Sequence, residues 1–437
     1  MPFNIPESDK PRLVIIGAGF GGLTLARKLQ GKGFQIVLLD KNNYHQFQPL
    51  FYQVAMSGLE PSSICFPLRK NFQAPRDLFV RVAEVSRIFH EQKTIESSIG
   101  ILRYDMLVLA MGAVTNFYGN PEFERFGIPL KSVSEALYLR NSILDDLEKA
   151  VMTLDPFQRE AYLNIVIVGG GPTGVELAGA LAEMKKYILP KDYPDLDASA
   201  MQIHLVQATP RLLDGMSEKA SLAALKDLKK MGVEVHLQAK VAEMNEHRVR
   251  FADGTELKAH KIIWAAGVKA LRLEGLPDSV YAPGGRILVN GFGEVESLKD
   301  VYCMGDQALM KTAEYPNGLP GLAPVALQQA AFLARHLRRK QQGRSLKSFK
   351  FTDKGAMATI GRHKAVLDFH SLFLSGFPAW LGWLFVHIYY LIGVRNKLIV
   401  MINWMWNYLF YDQALRLNIK PKWKEHGPGK GVHQDPS

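Results

Sequence analysis

The sequence predicts an α/β fold of two parallel-sheet domains followed by a helical C-terminal module, on three observations. Leu13-Val14-Ile15-Ile16-Gly17-Ala18-Gly19-Phe20-Gly21-Gly22 is an apolar, β-branched run followed by G-x-G-x-x-G and then by helical spacing. Ile165-Val166-Ile167-Val168-Gly169-Gly170-Gly171-Pro172-Thr173-Gly174 repeats that pattern about 150 residues later. About the last 70 residues change character, becoming apolar, Trp-rich and basic. One glycine-rich turn is weak evidence. Two copies, each between a buried strand and a helix, specify two Rossmann-like dinucleotide-binding domains. The glycines permit the tight turn, let backbone N–H groups approach a pyrophosphate and let helix pack on strand, while the helix N-terminus adds partial positive charge. Two dinucleotides held by one chain suit electron transfer between them.

A chain of 437 residues can build two or three domains with full cores. Its net charge of +11 is uneven: from Arg335 onward there are 17 Lys and Arg against 5 Asp and Glu. That asymmetry implies a surface for an acidic partner, nucleic acid or anionic lipid. The tail is Trp-rich rather than Arg-rich and carries no recognition-helix or RNP pattern, so nucleic acid is discounted. Cys65 and Cys303 lie far apart and form no CxxC, which excludes a redox pair of adjacent cysteines and implies no disulfide framework. No metal-ligand set is read from the sequence. Residues 1–10 are polar, without a signal-peptide core, so the nucleotide domains are expected in the cytoplasm.

After Gly22, residues 23–29 read as a helix and residues 35–39 as a strand ending at Asp40, 18 residues beyond the third glycine. A carboxylate there can accept hydrogen bonds from an adenosine ribose. The next segment, Asn42-Asn43-Tyr44-His45-Gln46-Phe47-Gln48-Pro49-Leu50-Phe51-Tyr52-Gln53-Val54-Ala55, resembles the corresponding loop of the type II NADH:quinone oxidoreductases, the non-pumping NADH dehydrogenases of respiratory chains. Val108-Leu109-Ala110-Met111-Gly112-Ala113, Trp264-Ala265-Ala266-Gly267-Val268-Lys269-Ala270 and Val301-Tyr302-Cys303-Met304-Gly305-Asp306 are similar to that family too. The resemblance runs from about residue 12 to 417. It implies the second domain inserted in the first, and FAD held non-covalently by Gly17, Gly19, Phe20, Gly22, Asp40, Lys41, Gly112 and Asp306, the last on the ribityl chain.

By the same resemblance, Gly169, Gly171, Gly174, Gln207, Ala266 and Gly267 would hold NADH or NADPH. The family places Glu or Asp where this chain has Gln207; an amide keeps the ribose hydrogen bond but loses the repulsion of a 2′-phosphate. With Arg211 close in sequence, the expectation is NADH with tolerance of NADPH. Glu176, read as lying in the first turn of the second fingerprint helix, is the candidate catalytic residue. In the family this glutamate sits beside nicotinamide and flavin, where it would orient the nicotinamide amide and relay protons. The local alternative is an acid stabilised by the helix dipole.

Leu319-Pro320-Gly321-Leu322-Ala323-Pro324-Val325-Ala326-Leu327-Gln328-Gln329-Ala330 resembles the family's quinone-side motif, which carries two glutamines four apart. Gln328 is kept, Pro324 replaces the first, and Gln329 with Ala323 supplies alternative contact. The local reading is a helix start opened by proline.

Residues 372–394 contain one group ionisable near neutral pH, His387, and Leu398 to Phe410 is a second apolar run. Five of six tryptophans lie between Trp380 and Trp423, as at a bilayer surface. The length of 372–394 permits a transmembrane span, yet Pro378 and three glycines interrupt it. Interfacial helices with a basic flank are the favoured reading, a monotopic attachment over about 371–417 on the cytoplasmic face of the inner (plasma) membrane. Part of the tail is also expected to serve a homodimer. The expected divisions are 11–115 and 276–340 for the FAD domain, 116–160 for a connecting segment, 161–275 for the NAD(P)H domain and 341–437 for the C-terminal module.

The activity expected is oxidation of NADH with two-electron reduction of a membrane quinone and no proton pumping. A sulfide:quinone oxidoreductase would need closely placed cysteines. A soluble reductase of an electron-transfer protein has no use for the tail, and a non-catalytic NADH sensor needs no quinone channel.

Overall fold

The computed structural model describes residues 3–72, 77–369, 372–410 and 415–419. Five parallel strands form the first sheet, in the spatial order Val301–Cys303, Met106–Leu109, Arg12–Ile16, Gln35–Asp40, Leu78–Val82. A second parallel sheet has the order Ile128–Pro129, Lys261–Trp264, Ile165–Val168, Ile203–Val206, Glu234–His236. Residues 301–303 return to the first sheet only after the second is complete, so the second domain is inserted in the first. An antiparallel ribbon, Ala113–Thr115 with Val268–Ala270, carries the chain across and back. The segment between the sheets adds the edge strand Ile128–Pro129 and the helix Val133–Met152, which starts with a Ser132–Glu135 capping box.

Both central strands are buried on both faces, as near-continuous Val/Ile/Leu runs require in a parallel sheet. Each domain also carries a three-stranded antiparallel meander, at 85–103 and 241–258. The helix Ala323–Gln341 covers the first sheet beside Phe20–Leu29; Leu23, Ala26, Ala330 and Leu333 share one core.

The tail is divided differently from the apolar run read in the sequence. Ala356–Gly361, Lys364–Phe369 and Leu372–Ser375 make an antiparallel sheet, followed by the helices Phe377–Tyr390 and Val394–Phe410. Residues 372–394 are therefore a strand, a 14-residue helix and a turn. Among the described residues no helix is long and apolar enough to cross a membrane. Gly376 and Gly393, both at positive φ, make the breaks that end the apolar run as a span. Trp423 lies outside the described residues.

Candidate functional site

The two fingerprints are built alike. Gly17 has φ +100° and Gly169 φ +116°; a Cβ on either would come within 2.3 or 2.6 Å of the carbonyl oxygen of Ala110 or Ala265 on the neighbouring strand's continuation. Gly22 and Gly174 face the carbonyl oxygens of Gly17 and Gly169 so closely that only hydrogen fits. Gly19 and Gly171, the helix N-caps, face open space where a phosphate-sized group has room. Each segment after the flanking strand, Ala110–Gly112 and Ala265–Gly267, passes beside its own fingerprint turn, with Gly112 and Gly267 both at positive φ.

The strand-end residues match as well. Asp40 Oδ2 accepts from Ala18 N at 2.7 Å and its Oδ1 from Asn42 N at 2.8 Å; burial raises its pKa against those two bonds. Gln207 Oε1 accepts from Gly170 N at 2.7 Å, and Gln207 Nε2 donates to Thr209 Oγ1 at 2.6 Å. Gln207 thus stands where Asp40 stands, with an amide oxygen doing the carboxylate's local work. Arg211 is engaged by Asp214, Nε to Oδ1 at 2.8 Å, which takes up the charge expected for a 2′-phosphate.

Phe20 opens the first helix and meets the rings of His45 and Phe47 edge-on at 5.3 and 5.7 Å. His45 Nδ1 lies 3.0 Å from Ala18 O, while its buried Nε2 has no hydrogen-bond partner among the described residues. Lys41 is exposed directly after Asp40. Asp306 follows Val301–Cys303 in a short 3-10 turn, and Lys131 Nζ comes within 4.0 Å of its Oδ2 and 3.4 Å of Gln48 Oε1. Lys131 carried no signal in the sequence. The open cradle at Gly19, the ribose-side carboxylate and the polar mouth at Asp306 fit a flavin dinucleotide; the second cradle fits a nicotinamide dinucleotide.

Glu176 differs from expectation. The helix runs Pro172–Tyr187 with no acid in its first turn; Glu176 is its fifth residue and is buried. The dipole reading therefore falls. Burial pushes its pKa up to about 8, offset in part by the Thr359 N–H, 3.5 Å from Oε1. Glu176 lines a partly enclosed cleft between the coenzyme helix and the tail, with Tyr52, Ala180, Trp380, Trp383, Trp404 and Tyr408 around it. Trp404 Nε1 donates to Gln53 Oε1 at 2.7 Å, and Asn396 Nδ2 to Cys65 O at 3.1 Å, which docks the last helix onto residues 51–65. Trp383 stacks on His387 at 3.9 Å, and burial lowers the His387 pKa to about 4, so that imidazole is neutral. Phe47 meets the same ring edge-on at 6.1 Å, which links the cleft to Phe20.

The glutamines expected to face quinone have other partners. Gln328 bridges the Thr352 backbone, donating to its carbonyl at 2.9 Å and accepting from its N–H at 3.0 Å. Gln329 is buried, and its Oε1 accepts from Gly305 N at 2.7 Å, fixing the turn before Asp306. Ala323 is the first residue of its helix. None of the three lines the aromatic cleft.

Comparison with known proteins agrees with this layout. Residues 11–330 match the pyridine nucleotide-disulphide oxidoreductase family model, and residues 354–411 match the NDH2 C-terminal domain. The type II NADH:quinone oxidoreductase Ndh of Mycobacterium tuberculosis is 34% identical over 430 residues, covering 93% of this chain and 91% of that protein. The Staphylococcus aureus type II NADH:quinone oxidoreductase is 27% identical over 366 residues, covering 82% of this chain and 89% of its own. Among solved structures, NDH2 from Plasmodium falciparum in complex with NADH superposes with a TM-score of 0.86 at 20% identity, covering 94% of this chain and 100% of that one. The sulfide:quinone oxidoreductase of Aquifex aeolicus shares the fold at a TM-score of 0.67 and 17% identity, covering 92% and 95%. Here Cys65 and Cys303 are both free thiols, with burial raising the pKa of each, Cys65 to about 12, which is the opposite of a reactive thiolate. The chain belongs to the type II NADH:quinone oxidoreductase family.

Proposed function

We propose that the two nucleotide sites and the aromatic cleft are three stations of one electron path, from NADH through FAD to a quinone, on a chain attached to one membrane leaflet. The observation that carries this reading is the cleft: it joins Glu176, on the coenzyme helix, to the two helices whose outer faces are apolar.

Bound FAD supplies acceptance of a hydride and delivery of two electrons. The protein's part is placement. The fingerprint at Gly169, Gly171 and Gly174 and the strand end at Gln207 fix the adenosine half of NADH. Ala266 and Gly267 border the same mouth. Gly17, Gly19, Phe20, Gly22, Asp40, Lys41, Gly112 and Asp306 hold the flavin dinucleotide, with Lys131 beside Asp306. At neutral pH Glu176 keeps its proton, at a carboxyl facing the cleft, and this proton is available to an oxygen of the reduced quinone. Trp380, Trp383 and Trp404 give the flat apolar walls that a quinone ring needs, and exclude water.

The outer face supports membrane attachment. Phe377, Leu381, Phe385 and Tyr389 stand exposed at four-residue intervals, and Leu398, Met401, Ile402, Met405 and Leu409 continue the patch on the next helix. So large a contiguous apolar surface marks an interaction site. A monotopic seat on the cytoplasmic leaflet fits the basic tail, and any homodimer would share this C-terminal region.

A cleft-filling substitution tests the assignment. Ala180→Trp places a bulky ring in the cleft from the coenzyme helix. Quinone-dependent turnover should fall at least about tenfold, while FAD content and NADH-driven ferricyanide reduction are retained. Unchanged quinone kinetics would place the quinone elsewhere.

A further inference from the structure

The second nucleotide domain carries a cluster that the electron path does not use. His204 lies in the strand Ile203–Val206; Glu234 and His236 lie in the neighbouring parallel strand, with His204 in register opposite Glu234. His204 Nδ1 is 3.2 Å from His236 Nε2 and 3.2 Å from Glu234 Oε2, and His236 Nε2 is 4.0 Å from the same oxygen. Ile203 and Leu205 pack on the helix side of the sheet, while Val206 packs with Met244 and Phe251 on the other. Alternation along a strand places His204 on the latter face, where His236 stacks against Phe251 at 6.1 Å.

Three lone-pair atoms converge there. Both 3.2 Å approaches meet at His204 Nδ1, so one N–H there has to be shared between Glu234 Oε2 and His236 Nε2. A cation satisfies all three. With metal–N and metal–O bonds of about 2.0–2.2 Å, tetrahedral donors sit about 3.3–3.6 Å apart, close to the two 3.2 Å spacings at His204 Nδ1, with the 4.0 Å pair of His236 Nε2 and Glu234 Oε2 the wider one. The set is borderline-soft, two imidazoles and one carboxylate, which suits Zn²⁺ or Co²⁺ better than Ca²⁺ or Mg²⁺. His204 is buried, His236 partly so and Glu234 exposed, which leaves an entry path and room for water as fourth ligand. The nearby cation Lys185 is turned away, donating to Met201 O.

We infer that His204, Glu234 and His236 form a three-ligand site for one transition-metal dication of the Zn²⁺ class. The site lies beneath the coenzyme mouth. His236 O accepts from Gln207 N at 2.8 Å, so a bound cation ties together the two strands whose ends present the ribose-binding amide. Its role is to brace the second domain, separate from the flavin chemistry.

The test uses tag-free, chelator-washed holoenzyme titrated with Zn²⁺ by calorimetry and with Co²⁺ by absorption to the red of the flavin bands. One ion per chain is expected, with a Co²⁺ spectrum of tetrahedral type and a rise in melting temperature. His236→Gln and Glu234→Gln, both at accessible positions, should each weaken binding at least tenfold and abolish the thermal gain, with FAD content unchanged. The inference is overturned if no ion binds stoichiometrically, or if both variants bind as the parent does.

Discussion

Replacing Glu176 by Gln separates the two things this carboxyl does. Its pKa is raised from 4.5 to about 8 by burial, so between those values the folded chain holds a proton that the unfolded chain has released. Stability is then greatest below about pH 4.5 and is lost as pH rises toward 8. At about 1.4 kcal/mol per unit, the loss at pH 7 is roughly 3 kcal/mol. Glutamine copies the protonated shape and does not titrate. The variant should therefore melt higher than the parent at pH 8, with a flatter melting profile from pH 5 to 8. Its chemistry should move the other way. An amide cannot hand a proton to a quinone oxygen, so quinone turnover should fall about tenfold or more, equal to at least ~1.4 kcal/mol of barrier. NADH-driven ferricyanide reduction should persist, and quinone turnover, which should decline above pH 8 in the parent as Glu176 loses its proton, should show no such decline in the variant. Parent-like quinone turnover that keeps its alkaline decline would show that the proton comes from elsewhere.

Gln207→Glu keeps the Gly170 N–H bond and adds a charge against a 2′-phosphate; the NADH/NADPH ratio of kcat/KM should rise about 5- to 150-fold, the span of a 1–3 kcal/mol effect, and a constant ratio would place the ribose away from this residue. Leu381→Glu with Phe385→Glu charges two residues that are 48% and 72% exposed; association with sedimented anionic vesicles should drop at least tenfold with the melting temperature unchanged, and undiminished association would move the anchor off this ridge. Deleting residues 372–437 should cost more than attachment, because it strips Trp380, Trp383 and Trp404 from the cleft; quinone reduction should be lost even in detergent, and a truncated chain with intact quinone kinetics would contradict the cleft assignment.

Much of the nucleotide-binding half was legible because its constraints are local. Gly17 and Gly22 are demanded by a turn that closes within six residues, and Asp40 by the strand next in sequence. Gln207 takes the strand-end position in the second domain that Asp40 takes in the first, each accepting from the middle residue of its fingerprint. The cleft was not legible. Its walls come from residues 52–58, 176–188, 359–362 and 380–408, and no spacing within one segment announces such a meeting. Glu176 was identified as a candidate, but the covering element that buries it lies almost 200 residues on. Gln328 and Gln329 show the converse limit: a motif names residue types, whereas Thr352 and Gly305, which take up their amides, each lie 24 residues away in sequence. The His204, Glu234 and His236 cluster escaped notice because only the register of two parallel strands brings residues about 30 apart into one triangle.

The tail shows why composition alone favoured two incompatible readings. The helix Phe377–Tyr390 is apolar all round, a pattern that belongs either to a membrane span or to a buried core helix. Fourteen residues reach only about 21 Å, short of the ~30 Å hydrocarbon thickness. One face, Trp383 and His387, is buried against the protein, and the other, Leu381, Phe385 and Tyr389, is open. Tryptophan therefore marks two different boundaries here: Trp383 is 1% exposed and walls the cleft, whereas Trp406 is 49% exposed on the outer ridge. Apolar faces on both sides of one short helix are what a monotopic enzyme with a lipid-soluble substrate requires. In the proposed arrangement the outer face would hold the protein at the leaflet, and the inner face would receive the substrate without exposing it to water.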